Sequence, residues 1–213
     1  MASIGRALQV MHERYGIPHI VITSVSLPHP DHPVSSLSVV GSSMTTTPEG
    51  ARRARAFKIV FPAIDCYFSG TGDMFAALMV VRMREAVHNH SSSSSSSNST
   101  GEGQGEGLMG RASWLSDDSV DALDLPLARA AEKVLASMHE VLTKTAERMD
   151  GVVAKARAEA EVVVDGEGAG VEEKAEAEKK RMHLLKSKAA ELRLVRHLDS
   201  LRFPKVEFRA TRL

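Results

Sequence analysis

An α/β fold is what this sequence predicts, and three stretches carry that prediction. Ile20-Val21-Ile22 is a continuous apolar run of strand character, ended by the polar pair Thr23-Ser24. Phe57-Lys58-Ile59-Val60-Phe61-Pro62 alternates apolar and mixed residues like an antiparallel strand, and proline ends it. Gly70-Thr71-Gly72-Asp73 then joins an apolar lead-in to an apolar helix that follows at once.

Taken in order, the chain opens with a helix closing at Tyr15, where Gly16 suits the position after the helix and Pro18 stops it. The Ile20–Ile22 run is expected to form a parallel strand covered on both faces. Thr23 and Ser24 would then lie at a strand's carboxyl end, where open α/β sheets bind ligands. Ser38-Val39-Val40-Gly41-Ser42 reads as a short strand, and Arg52, Arg53 and Arg55 as a basic, solvated turn before the strand at Phe57. Met74 to Val81 is expected as a core-buried helix behind the Gly loop, closed by Arg82 and Arg84. Helical periodicity spans Ser119 to Met149 through Val120, Leu123, Leu127, Ala131, Val134 and Leu135. Met182 to Leu201 presents a further apolar face through Leu184, Leu185, Ala189, Leu192, Val195 and Leu198, and is expected as the final helix before the last strand.

Two tracts interrupt this pattern. Residues 89–118 hold Ser91 to Ser97 and a Gly-Glu-Gly-Gln-Gly-Glu-Gly run, the composition of a disordered linker. Val152 to Arg181 is rich in Ala, Glu and Lys, giving solvated helix or disorder. The expected organisation is a core over 1–88, the linker over 89–118, and helices with a terminal strand over 119–213 carrying a charged insert at 152–181.

Composition excludes several function classes. Lys plus Arg equals Asp plus Glu, at 27 each, so overall charge offers nucleic acid no electrostatic footprint. The single cysteine, Cys66, precludes an intrachain disulfide framework and suits a reducing, cytoplasmic setting. Its apolar surroundings point to packing rather than nucleophilic chemistry. No apolar run approaches the length of a membrane span. His19, His29 and His32 near Asp31 lack the ligand number and spacing of a zinc site, and no P-loop motif occurs.

The loop is the chemically distinctive segment. A helix N-terminus leaves backbone N–H groups unpaired, and its dipole favours an anion. Gly70 and Gly72 would let a phosphate come close to that backbone. Asp73 beside such a hole makes sense as a base that takes a proton from an attacking hydroxyl while the N–H groups hold the transferring group.

Ser69 to Ala77 resembles the signature of ribokinase-like kinases, and Phe57 through Leu78 is most similar to the pyridoxal kinase branch. The resemblance implies a three-layer α/β/α sandwich of which this chain is the C-terminal half. It implies Asp73 as catalytic base, Gly70 and Gly72 as the anion hole, and Thr23, Ser24 and Thr71 as contacts to ATP phosphates. Ile64, Phe68 and Ser69 fall where the family's chain passes the adenine and ribose. Pro204 to Thr211 is similar to the family's terminal edge strand, with Val206, Phe208 and Ala210 facing one way.

The activity implied is transfer of the ATP γ-phosphoryl group to the 5′-hydroxymethyl group of pyridoxal or a related B6 vitamer. Mg2+ is implied with ATP, and a homodimer is the family's usual state. The opening strands, substrate pocket, lid and metal-adjacent acids of the family have no counterpart here, so the chain is expected to be incomplete as a stand-alone enzyme. A kinase acting on hydroxymethylpyrimidine or a sugar shares the Gly-Thr-Gly-Asp loop, and a non-catalytic fragment is the other alternative.

Overall fold

The computed structural model describes residues 1–26, 35–94, 107–161 and 171–213. Helix α1 (Ala2–Tyr15) ends at Gly16, which takes φ 62° and donates its N–H to the His12 carbonyl at 3.0 Å. Three strands follow: β1 (His19–Val25), β2 (Ser36–Thr46) and β3 (Arg52–Pro62). Helix α2 spans Thr71–Ser94 and α3 spans Pro126–Glu161. After α4 (Val171–Ala189), a 3-10 turn at Leu194–His197, and α5 (Leu198–Arg202), the chain closes with β4 (Thr211–Arg212).

The class is mixed α/β, and its sheet differs from the expected one. The strands pair β1-β2-β3-β4, each antiparallel to its neighbour. The Ile20–Ile22 run is therefore an antiparallel, half-buried edge strand rather than a parallel one covered on both faces. An apolar run reports burial and not direction. The ten residues 26–35 between β1 and β2 are fewer than the dozen or so a parallel crossover needs.

Other expectations shift for similar reasons. Arg52, Arg53 and Arg55 belong to β3 itself, not to a turn before it. Helix α2 does not stop after Val81 but continues to Ser94, and Val80 and Val81 are exposed while Met83 and Val87 are buried. An apolar run of that length wraps the helix, whereas the core covers one face. The helix expected from Ser119 starts at Pro126, whose missing N–H and fixed φ suit the first helical position. Met182 to Leu201 is not one helix: α4 ends at Ala189, and Leu184 and Val195 are exposed. The linker expectation also fails at its ends. Residues 89–94 are helical, and 107–118 contain short 3-10 turns with Leu108 buried, while 95–106 lie outside the described residues.

Two compact units result, one formed by Met1–Ala63, Phe75–Ala136 and Lys205–Leu213, the other by Ile64–Met74 and Ser137–Pro204. In the first, Val39, Phe57 and Ile59 of the sheet pack with Met83 and Val87 of α2 and Leu127, Ala131 and Leu135 of α3. A Cβ on Gly41 would lie 2.3 Å from the Phe57 ring, so only glycine lets that ring cross β2. Phe208 and Ala210 pack against the same cluster, and Val206, Phe208 and Ala210 alternate with exposed neighbours, but the paired strand is only Thr211–Arg212 and not the expected Pro204–Thr211.

Helix α1 is tied to the sheet through His12, which is fully buried. Its Nδ1–H donates to the Ile17 carbonyl at 2.6 Å, so Nε2 accepts from the Ser42 hydroxyl at 2.8 Å. His19 repeats the pattern with the next serine. Its Nε2–H donates to the Ser113 carbonyl at 2.7 Å and its Nδ1 accepts from Ser43 at 2.8 Å.

Candidate functional site

The lead-in and loop, Ile64 to Met74, fall within the second unit. Ile64 and Phe68 are half-buried, whereas Ser69, Gly70, Gly72 and Asp73 are exposed. Gly70 takes φ 80°, a left-handed conformation that penalises a side chain, so the glycine expected for its backbone freedom uses it. The Met74 N–H donates to the Gly70 carbonyl at 3.0 Å, which opens the first turn of α2 with Thr71, Gly72 and Asp73 in it. A Cβ at Gly70 or Gly72 would meet nothing within 4 Å. The loop thus has unfilled space beside the N-terminus of a long helix, where early N–H groups attract an anion.

Cys66 packs under this segment. Its Sγ lies 3.6 Å from the Met149 Sδ of α3. Burial, then the carboxylates of Asp150 and Asp65, push its thiol above the ordinary range. A thiol held protonated is a poor nucleophile, in accord with a packing role.

Thr23 and Ser24 lie in the first unit, and their local geometry is unusual. Ile22 pairs with Val40 but Val25 pairs with Ser38, so two β1 residues oppose the single residue Val39. The bulge exposes both hydroxyl residues in succession where a regular strand would alternate. Ser24 takes φ 55°, a conformation that costs a non-glycine residue free energy and that clusters at functional sites.

Two residues matter in ways the sequence reading missed. Arg55 donates from Nη1 to the carbonyls of Asp117 (2.7 Å) and Val120 (3.1 Å), and from Nη2 to those of Met44 (3.1 Å) and Ser116 (3.2 Å). It fastens the 116–120 segment to the sheet. Glu132 is 3% exposed; its Oε1 accepts the Ala210 N–H and its Oε2 faces Arg209 Nη1, each at 2.9 Å. The available signal was an acidic residue between the periodic apolar positions Ala131 and Val134. Of the histidines considered for zinc, His19 is engaged as above, and 29–32 lie outside the described residues. Among the described residues no three His, Cys, Asp or Glu side chains form a metal-holding group, and no helix is long and apolar enough to cross a membrane.

No family model matches the chain. Over 151 residues it is 26% identical to a protein of Schizosaccharomyces pombe named "Putative pyridoxal kinase", covering 69% of this chain and 36% of that protein. The chain resembles pyridoxal kinases. It spans little more than a third of that pyridoxal kinase relative's length. Among solved structures, the pyridoxal kinase from Leishmania donovani in complex with ADP aligns at TM-score 0.49 and 20% identity, over 94% of this chain and 41% of that one.

Proposed function

We propose that this chain carries the phosphoryl-transfer loop of a pyridoxal kinase, which moves the ATP γ-phosphoryl group to the 5′-hydroxymethyl group of pyridoxal. The observation that carries the proposal is the Gly70–Asp73 loop. A left-handed glycine turns the backbone into a helix N-terminus, open space lies beside both glycines, and an exposed carboxylate sits in the first turn. In this reading Asp73 takes the hydroxyl proton as the nucleophile attacks, and the backbone N–H groups of Gly70 to Gly72 hold the transferring phosphoryl oxygens. Thr71 would donate a hydroxyl hydrogen bond to an ATP phosphate, and for Thr23 and Ser24 the resemblance implies a contact of the same kind. Ile64, Phe68 and Ser69 would border the nucleoside.

The residues present fit a nucleotide better than a protein-held metal. The loop leaves room for phosphate, whereas the described residues offer no cluster of metal ligands. Mg2+ would arrive held chiefly by ATP phosphates, as this ion commonly is. The three-layer α/β/α arrangement, a homodimeric state, a cytoplasmic setting and pyridoxal as substrate belong to the same proposal.

Titrating the purified chain with ATP and Mg2+, then assaying pyridoxal 5′-phosphate formation, tests it. Saturable ATP binding with turnover that Asp73→Asn abolishes is the expected result. Binding without turnover would reduce the chain to a nucleotide-binding half-site, and absence of saturable binding would overturn the reading.

A further inference from the structure

The second unit holds a group of cations that the loop chemistry does not use. Lys144 and Arg148 stand one turn apart on α3. Lys144 Nζ donates to the Ser200 Oγ at 2.7 Å, with Glu140 3.7 Å away. Arg148 Nη2 donates to the carbonyls of Ala189 and Glu191, the latter at 3.1 Å. These bonds fasten the 189–200 segment to α3, and that segment brings in Arg193 and Arg196, both exposed.

The arrangement is electrostatically unfavourable as it stands. Burial first, and then Arg193 and Arg196, lower the Arg148 pKa, with Glu191 opposing. Burial also lowers the His197 pKa, followed by Lys144, Arg148 and Arg196. Glu140 and Glu191 offset part of the charge, and Asp199 is the remaining acid of the 189–200 segment. Among the described residues Arg193 and Arg196 have no ion-pair or hydrogen-bonded side-chain partner, and Arg148 keeps Nε and Nη1 uncommitted. Two exposed guanidinium forks lie on the segment that Lys144 and Arg148 hold to α3, a set of cations suited to several phosphate oxygens at once.

We infer that Arg148, Arg193 and Arg196, with Lys144 at the edge, form a binding site for a small oligophosphate, separate from the Gly70–Asp73 loop. The shared chemistry is a chain of phosphate groups, supplied either by a free inorganic oligophosphate or by a nucleoside triphosphate. A single phosphate is a poorer fit, because the cations are spread over α3 and a separate 3-10 turn. The anchoring bonds of Lys144 and Arg148 mean that these two cations need little further ordering on binding, whereas Arg193 and Arg196 must be ordered by the ligand.

Calorimetric titration of the whole chain with inorganic tripolyphosphate in about 0.15 M salt, where exposed charges are well screened, is the test. Saturable binding that weakens at least tenfold in R193Q/R196Q is expected. Circular dichroism checks folding, and the single variants R193Q and R196Q keep the comparison valid if the double variant unfolds. No saturable binding, or binding indifferent to these arginines, would overturn the site. ATP titrated against the same variants distinguishes the sources. A matching tenfold loss assigns the site to nucleoside triphosphates; ATP binding untouched by the arginines, with tripolyphosphate binding weakened, assigns it to the inorganic chain. Loss of ATP binding in loop variants alone would bear on the kinase reading and leave this site standing.

Discussion

Single residues decide the loop and the sheet in different ways. Asp73 is exposed in the first turn of α2, and the proposed role for it is that of a base. Asp73→Asn is expected to cut turnover by about 10²–10⁴-fold while ATP binding persists, since general-base catalysis contributes on that order. Steady-state assay beside calorimetry checks this, and unimpaired turnover would remove the base from Asp73. Gly70 is conformational, at φ 80°. Gly70→Ala should destabilise by about 1–2 kcal/mol through the left-handed penalty alone, because a Cβ there meets no neighbour. Gly41 is the opposite case, with ordinary dihedrals but a ring 2.3 Å from where a Cβ would sit. Gly41→Ala should cost about 1–3 kcal/mol by overpacking, and Phe57→Leu in the same chain should recover part of it. Urea denaturation of the three variants separates the mechanisms; an additive double variant would show that the ring is not the cause.

At the scale of elements, the terminal strand illustrates how much one buried carboxylate can position. β4 has only two residues in register with β3, at Phe57↔Arg212 and Lys58↔Thr211. Such short pairing is weak, and Glu132 compensates by taking the Ala210 N–H. Glu132→Ala should cost about 1.5–3 kcal/mol, the range for hydrogen bonds to charged groups, and should speed amide exchange at Ala210. Glu132→Gln keeps an acceptor for that N–H and loses mainly the pairings with Arg209 and, at 3.6 Å, Arg129, which are 62% and 50% exposed and screened, so its cost should stay below about 1 kcal/mol. Equal costs for the two variants would show that charge, not the strand-holding bond, is what Glu132 supplies. The positions of β2 and β3, the capped end of α1 and the opening of α2 at the Gly loop were legible locally. They depend on the apolar pair Val39-Val40, on the alternation of Phe57–Phe61, on Gly16 and on Gly70, all features of a few residues. The start of α3, the break after Ala189 and the continuation of α2 past Val81 were not. Each is settled by which helix face finds a core to cover it, and apolar content by itself does not report that.

For the molecule as a whole, acid should be the destabilising direction. Burial lowers the pKa of both His12 and His19, and their hydrogen bonds to Ile17 and Ser113 only partly oppose it. The unfolded chain binds their protons near pH 6.5, whereas the folded chain resists them to lower pH. The stability they contribute is therefore present above about pH 6.5 and lost as pH falls through and below it. Thermal unfolding followed from pH 7.5 to 5 should show a falling midpoint, and the fall should be shallower in His12→Asn. A midpoint independent of pH would mean that neither histidine is held neutral. The sequence by itself determined the mixed α/β class, the Gly70–Asp73 loop at a helix start, and the resemblance to pyridoxal kinases, because these depend on residue type and short spacing. Only the tertiary structure decided the antiparallel sheet, the bulge that holds Ser24 at positive φ, the anchoring by Arg55 and Glu132, and the gathering of cations around Arg148. Each of those depends on residues distant in the chain meeting in space, where burial and charge act over ångströms and not along the sequence.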